Sequence, residues 1–461
     1  MRPAAVSAEF LGSAVLSFTV GCNVLSSPSF SWETSSREIA SIAAALLAMT
    51  SAFGPISGGH FNPSVSVAML CAGKMQVLDT LVYVLVQVAG STAAMLFISN
   101  LFQVTEPSVV PIVGRDIAVE MIYAFMLNFV TLCVSGKRNN PENEPNQFYG
   151  IASSTILAAG LASTRLKSGV FNPGITIGLG INQMGFEVPN NAVFVLVQLV
   201  AGVLAAALFR LLRPEEKLSN EQLPTYVPSL AVRLCSECLG TTFLMLTLGL
   251  SSSENVWAAP CALVGLVYAL GDLSGGHFNP AVTAAVVLSR TRLLISSDLL
   301  GYWFAQVTGC LVAAVMCLYL ITDFQWDLGP KAPFQAGGAY IMEFTFSIVL
   351  CLTVLAVSCI KGITSIYSRN FYFGLAIGLA LLTGSLCSAK VSGACMNPAV
   401  SLAVAISSLM EGRTSVAFYA SNYCVAELFA GVTAAMLFRS THAREYVTKD
   451  SSRMPLGPLA A

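Results

Sequence analysis

The sequence predicts an all-α membrane protein built as two six-helix bundles, with twelve transmembrane helices and four short re-entrant half-helices. Three observations carry that prediction: a shortage of charge, a succession of apolar segments near membrane length, and an internal unit present four times. Only 10% of the 461 residues are charged and 55% are hydrophobic, whereas a soluble domain carries about 25% charged residues. Mean hydropathy is +0.73. This composition excludes a disordered chain, and a net charge of −1 with three histidines offers no basic face to nucleic acid.

The first group of apolar segments lies near residues 4–25, 39–57, 78–99, 115–135, 148–164 and 191–212. The second lies near 230–250, 257–273, 298–320, 338–360, 371–388 and 416–438. Each approaches the roughly 20 residues that a helix needs to cross the hydrocarbon core. The first segment has the outline of a signal peptide behind Arg2, but its apolar run around Glu9 has the length of a spanning helix. Residues 213–229 are polar, contain Pro214, Pro224 and Pro228, and read as a linker. The expected organisation is therefore a first unit at 1–212, a linker at 213–229, a second unit at 230–440 and a tail at 441–461.

Orientation follows from the basic residues. With both termini cytoplasmic, all of the 23 Lys and Arg fall inside except Arg37, Arg115, Arg165, Lys167, Lys331, Lys390 and Arg413. That bias supports this topology. Most of the thirteen cysteines, such as Cys133, Cys310 and Cys351, lie in apolar stretches and read as buried thiols. No Cys/His spacing suits a metal, and no cofactor is expected. Nothing resembles a nucleophile–base set or a phosphate loop, so no enzyme is expected either.

The internal unit is the most informative feature. Ser-Gly-Gly-His-Phe-Asn-Pro at 57–63 returns at 274–280, and Ser-Gly-Val-Phe-Asn-Pro at 168–173 has a counterpart at 392–398. The four asparagines, Asn62, Asn172, Asn279 and Asn397, are 110, 107 and 118 residues apart. A glutamate precedes each by 42–54 residues: Glu9, Glu120, Glu237 and Glu343. Each unit thus holds three spans and one Asn-Pro loop. Three is odd, so successive units enter the membrane from opposite sides, as inverted repeats.

Each Asn-Pro precedes about ten apolar residues, too few to span but suited to a half-helix. Asn is a good N-cap, and proline at the first helical position gives up an N–H that has no helical partner there. Two half-helices from opposite leaflets would meet with their positive ends together. Their asparagine amides would then face whatever passes. Such a junction suits a neutral solute with an acceptor oxygen and repels cations.

The four Asn-Pro loops, two within Gly-Gly-His-Phe-Asn-Pro, and the upstream glutamates resemble the major intrinsic protein family of aquaporins and aquaglyceroporins. The resemblance covers nearly the whole chain as two aquaporin-like units in tandem. It implies two pores, with motifs Asn62-Pro63-Ser64 and Asn172-Pro173-Gly174 in the first unit and Asn279-Pro280-Ala281 and Asn397-Pro398-Ala399 in the second. It implies that Glu9, Glu120, Glu237 and Glu343 brace the loops and that His60 and His277 line the pore mouths. It further implies a passive channel in the plasma membrane for water or small neutral solutes such as glycerol, urea and polyols. Family members assemble as tetramers, so a dimer of this chain would form a pseudo-tetramer in the lipid bilayer.

The chain also departs from the family. Where water channels carry an arginine after the second motif, it has Ile175 and Val400. The other selectivity positions map to Ile42, Gly169 and either Gly160 or Leu161 in the first unit, and to Ala259, Ser385 and Ala394 in the second. Small, apolar residues imply a wide opening that favours polyols over strict water selectivity. Arg165, Lys167 and Lys390 are the candidate substitutes for the missing charge. Ser64 and Gly174 replace the usual alanines, and Gly174 is expected to open space at the first junction. Loss of the arginine pair also leaves an alternative reading, a non-conducting structural or adhesion protein on the same fold. Cys395, two residues before Asn397, is the expected target of mercurial block.

Overall fold

The computed structural model describes residues 2–26, 34–102, 114–136, 149–163, 171–181, 188–219, 221–251, 255–289, 296–321, 324–360 and 372–446. Among these residues the regular structure is entirely helical. The chain divides into two compact units, Met1–Leu223 with Ser251–Cys261, and Pro224–Leu250 with Ala262–Ala461. The first eight helices are α1 (Pro3–Ser26), α2 (Ser36–Ser57), α3 (Pro63–Cys71), α4 (Val77–Leu101), α5 (Gly114–Val134), α6 (Tyr149–Leu161), α7 (Pro173–Ile181) and α8 (Val188–Leu212). Then follow α9 (Leu230–Leu250), α10 (Ala258–Ser274), α11 (Pro280–Ser289), α12 (Leu299–Leu320), α13 (Ala336–Ser358), α14 (Phe373–Ser388), α15 (Pro398–Met410) and α16 (Thr414–Thr441).

Each quarter is a helix, a second helix, a half-helix and a third helix, four times over. Among the described residues, nine helices are long and apolar enough to cross a membrane: α1, α2, α4, α5, α8, α9, α12, α13 and α16. Three further positions in the twelve-span reading are filled by shorter apolar helices, α6 with 13 residues, α10 with 17 and α14 with 16. At 1.5 Å per residue these rise only about 20–26 Å. The half-helices α3, α7, α11 and α15 have 9, 9, 10 and 13 residues and cannot span.

Each quarter folds alike because its third long helix packs on its first: α4 on α1, α8 on α5, α12 on α9 and α16 on α13. Glycine makes these approaches close enough. A Cβ on Gly90 would strike the Phe10 carbonyl of α1, and one on Gly309 would strike Cys238 of α9. The equivalent Gly202 and Gly431 admit half-helices instead, facing the Ser64 carbonyl of α3 and the Ala281 carbonyl of α11. Three half-helices, α3, α7 and α11, are therefore held largely by the opposite quarter of their unit, whereas α15 packs mainly on α16 of its own quarter and also on α12. That interlock fixes the depth at which the Asn-Pro turns lie.

The stretch expected to act as a linker begins as packed structure. Arg213 is buried and pairs with buried Glu215 at 3.2 Å. The adjoining short turn Pro214–Lys217 brings Glu216 to 2.8 Å from the Lys74 ammonium, which also donates to the Ser135 carbonyl. The turn is thereby pinned to the loop that follows α3. Polar residues can pack in this way because paired charges can be buried when each has a partner.

Candidate functional site

The asparagines cap the half-helices. Asn62 has an extended backbone and its Oδ1 accepts from the Ser64 N–H at 2.9 Å. Asn172 accepts from Gly174 at 3.0 Å, Asn279 from Ala281 at 2.8 Å and Asn397 from Ala399 at 3.1 Å. Proline follows at the first helical position in every case. Capping occupies the amide oxygen and leaves the Nδ2 donors pointing away from the helix.

Those donors tie the two half-helices of each unit together. Asn62 Nδ2 donates to the Phe171 carbonyl at 3.0 Å, and Asn172 Nδ2 donates to the Phe61 carbonyl at 2.9 Å. In the second unit Asn279 Nδ2 donates to the Met396 carbonyl at 2.8 Å and Asn397 Nδ2 to the Phe278 carbonyl at 2.9 Å. The half-helices thus meet N-terminus to N-terminus, with about half a positive charge from each directed at the junction. An amide nitrogen carries two donors, so one N–H of each asparagine remains beyond this tie. The residue ahead of each asparagine takes a left-handed backbone, with φ of 48° at Phe61, 63° at Phe171, 48° at Phe278 and 53° at Met396. A non-glycine residue adopts this conformation only under constraint. Here the constraint is the carbonyl that must turn toward the partner asparagine.

Buried glutamates organise the loops. Glu9 accepts from the Ser57 hydroxyl at 2.6 Å, the His60 N–H at 3.0 Å, the Phe61 N–H at 2.7 Å and the Gln87 amide at 2.8 Å. Glu237 repeats all four bonds with Ser274, His277, Phe278 and Gln306. Glu120 accepts from the Phe171 N–H at 2.7 Å and the Gln198 amide at 2.5 Å. A carboxylate with zero exposure needs such donors, because burial without them is costly. The glutamines also bond the hydroxyl four residues after the asparagine: Ser66, Thr176 and Thr283. The fourth quarter differs. Glu343 accepts from Ser392, Cys395 and Met396, but the glutamine position is Glu427.

The first unit holds an open pocket and a smaller cavity that meet at His60. One of about 670 Å³ is lined by Arg2, Ser57, His60, Lys74, Asp79 and Tyr83. The other, about 20 Å³, is lined by His60, Asn62, Thr131, Tyr149, Ser153 and Asn172 among others. His60 lines both. The smaller space is enough for one water. On its lining the Thr131 and Ser153 hydroxyls are hydrogen-bonded to each other at 3.2 Å, and the Tyr149 hydroxyl donates to the Gly59 carbonyl at 3.1 Å.

The extra space expected from Gly174 is absent. A Cβ there would meet the Ser91 hydroxyl at 3.0 Å. The Ser64 hydroxyl is likewise committed, donating to the Gln198 carbonyl at 2.6 Å and accepting from Asn128 at 2.7 Å. Both substitutions are absorbed by facing helices. Of the remaining positions, Ile42, Ile175, Ala259, Ser385 and Val400 are buried on α2, α7, α10, α14 and α15. Ala394 stands in the loop before Asn397 with φ of 59°, and Gly169, Arg165 and Lys167 lie outside the described residues. His277 is buried with Nδ1 3.2 Å from the Thr283 hydroxyl, as His60 Nδ1 is 3.0 Å from Ser66.

Sequence reasoning assigned no role to the glutamines or to Ser57, Ser274 and Ser392. Their signal was present: Gln87, Gln198 and Gln306 recur 25–27 residues after their asparagines, and each serine opens its Asn-Pro motif. Thr131 and Ser153 carried no such signal, since nothing local distinguishes a cavity-facing hydroxyl in a helix.

A family profile described as major intrinsic protein matches residues 3–169, 250–407 and 368–456. Aquaporin Z of Brucella melitensis is 35% identical over 153 residues, covering 31% of this chain and 63% of that protein. Nodulin-26 of Glycine max is 32% identical over 185 residues, covering 37% and 65%. In both, the match spans less than two thirds of the relative's length. A glycerol uptake facilitator protein-like 6 of Lactiplantibacillus plantarum is 34% identical over 148 residues, covering 32% and 66%. The aquaglyceroporin structure from Plasmodium falciparum covers 47% of this chain and 98% of its own, with 21% identity and a TM-score of 0.41.

Proposed function

The chain belongs to the major intrinsic protein family, and from that premise we propose that it is a passive channel with one pore in each six-helix unit. It is an integral, multi-pass membrane protein, and family members are channels for water or small solutes rather than enzymes. The observation that carries the proposal is the reciprocal tie of each asparagine pair at the meeting point of two half-helices. That arrangement leaves amide donors and two helix dipoles at one point, which attracts an acceptor oxygen and disfavours cations. Glu9, Glu120, Glu237 and Glu343 hold the loops in place, and His60 and His277 stand at the mouths.

The solutes are water and small neutral molecules, with glycerol and other polyols favoured in the second unit. Ala259, Ser385, Ala394 and Val400 supply little bulk and no charge there. In the first unit the spacing supports Leu161 over Gly160 at the fifth-span position. Tyr149, Ser153 and Leu157 all line the narrow cavity and Leu161 continues their four-residue spacing, whereas a Cβ on Gly160 would meet the Phe171 ring. Both termini are cytoplasmic in the plasma membrane, and the chain pairs as a dimer equivalent to four pores.

Stopped-flow light scattering on proteoliposomes tests the reading. Water and glycerol permeability are expected above those of empty liposomes, and Asn62→Asp and Asn279→Asp each remove one unit's share. Equal permeability of loaded and empty liposomes, with the protein intact, would overturn it.

A further inference from the structure

Three of the four quarters place a glutamine amide against the loop glutamate, and the fourth places a second carboxyl group there. Gln87, Gln198 and Gln306 each donate Nε2 to their glutamate. Glu427 has no N–H to give. It accepts from the Asn397 N–H at 3.0 Å and from the Ser401 hydroxyl at 2.9 Å, while Glu343 accepts from Ser392, Cys395 and Met396. Both carboxyl groups have zero exposure, and they lie side by side because they take consecutive N–H groups of one loop, Glu343 those of Cys395 and Met396 and Glu427 that of Asn397. Two carboxyl groups buried side by side cannot both carry charge cheaply, and a proton on one of them removes the repulsion.

Among the described residues, the neighbouring elements bring no cation against the pair. From α13 come Glu343, Tyr340 and Cys351, and from the loop before α15 comes Cys395. Neither α15 nor α11, both packed on α16, has a titratable side chain. On α16 itself stand Tyr423 and Cys424 close by, Tyr419 two turns before Glu427 and Arg439 twelve residues beyond it, about 18 Å along the helix, and the short turn Ala443–Tyr446 lies farther still. Two like charges buried together without a positive partner are strongly unfavourable.

An independent observation points to the same place. Tyr83 and Tyr302, four residues before their glutamines, donate to the carbonyls of Ser57 and Ser274. The equivalent Tyr423 hydroxyl is fully buried and has no hydrogen-bond partner among the described residues. It faces Glu343, Cys395 and Glu427 electrostatically. The fourth quarter therefore presents two carboxyl groups and an unsatisfied phenol where the others present a closed acid–amide pair.

We propose that Glu343 and Glu427 bind one proton between them, and that its loss displaces the Cys395–Asn397 loop and alters passage through the second unit. The binding site stands on the geometry alone, and the effect on passage rests on the channel reading above. A proton held in the folded state and released on unfolding stabilises the protein at low pH, and that gain is lost as rising pH removes it. Glu427→Gln substitutes the residue used by the other three quarters. Its amide donates at every pH.

The experiment compares the full-length wild type with Glu427→Gln over about pH 5 to 9, the range in which buried carboxyl groups titrate. Melting midpoints in detergent are expected to coincide at low pH and to diverge as pH rises, with the variant the more stable. Parallel midpoints across the range would overturn the proton site. Flux is measured in proteoliposomes carrying Asn62→Asp to isolate the second unit. With Glu427 retained, water flux is expected to change at least about two-fold over that range, and with Glu427→Gln added it is expected to stay constant. Flat flux with divergent midpoints overturns the coupling and keeps the site. Absence of flux from both proteins removes the channel reading, and the midpoints still decide the proton. Gln306→Glu, which places an acid pair beside Glu237, is expected to confer the same divergence on the third quarter.

Discussion

In the first unit Ser64 and Gly174 follow the Asn-Pro pairs, whereas in the second unit alanine does so at both Ala281 and Ala399. The change looks like a loosening of the first junction, yet the structure packs it fully. Ser91 fills the space beside Gly174, and Gln198 and Asn128 engage the Ser64 hydroxyl. The second unit departs elsewhere, through Cys395 where the first has Val170 and Glu427 where the first has Gln198. What differs between the units is therefore the chemistry around the loops rather than the scaffold that sets their depth. One frame of interlocked half-helices tolerates both solutions because each substitution is answered by a neighbour on another helix.

The largest expected effect tests the shared frame. Glu237→Ala leaves the N–H groups of His277 and Phe278 and the Gln306 amide without their acceptor. At about 1–3 kcal/mol for each unsatisfied donor, the second unit loses about 3–9 kcal/mol. Thermal unfolding in detergent should show this, and Glu9→Ala should cost the first unit as much. A small loss in one unit alone would break the equivalence of the two frames.

Next come the asparagines. Asn62→Asp keeps the cap acceptor, removes the Nδ2 donor and adds negative charge beside the junction. A fall of about tenfold in that unit's permeability corresponds to about 1.4 kcal/mol, in the range of one hydrogen bond. Asn279→Asp should do the same to the other unit, leaving the first unaffected in stopped-flow measurements.

A smaller effect separates packed from open junctions. Alanine is the better helix former by up to about 1 kcal/mol, but Gly174→Ala presses on the Ser91 hydroxyl. Thermal midpoints should show little gain from Gly174→Ala alone and a gain of about 1 kcal/mol from the same change in a Ser91→Ala background. An equal gain in both backgrounds would mean that the first junction has spare room.

The smallest effect concerns the thiol. Cys395 is 5% exposed, with Sγ held between the Ser401 hydroxyl and the Asn397 carbonyl. Mercurials are expected to slow flux partially and only through the second unit, and Cys395→Ser should abolish that sensitivity in the same flux assay. Equal inhibition of wild type and variant would place the reactive thiol elsewhere.

Much of this protein could be read from the chain. Apolar length, four Asn-Pro caps and their glutamates are local or periodic features. A helix of about 20 apolar residues, a proline at a first turn and a buried carboxylate each impose their structure wherever they occur. Those features determined the all-helical fold, the fourfold unit and the pairing of half-helices. The sequence by itself could not determine which groups answer Gly174, Ser64 or Glu427. Their partners lie on other helices, as far as 134 residues away for Ser64 and Gln198, and a residue type does not state whether the facing space is empty. Only the tertiary structure decided that Ser91 closes the first junction, that Thr131 and Ser153 line its cavity and that Glu427 meets Glu343. Packing brings together side chains whose spacing in the chain carries no common period.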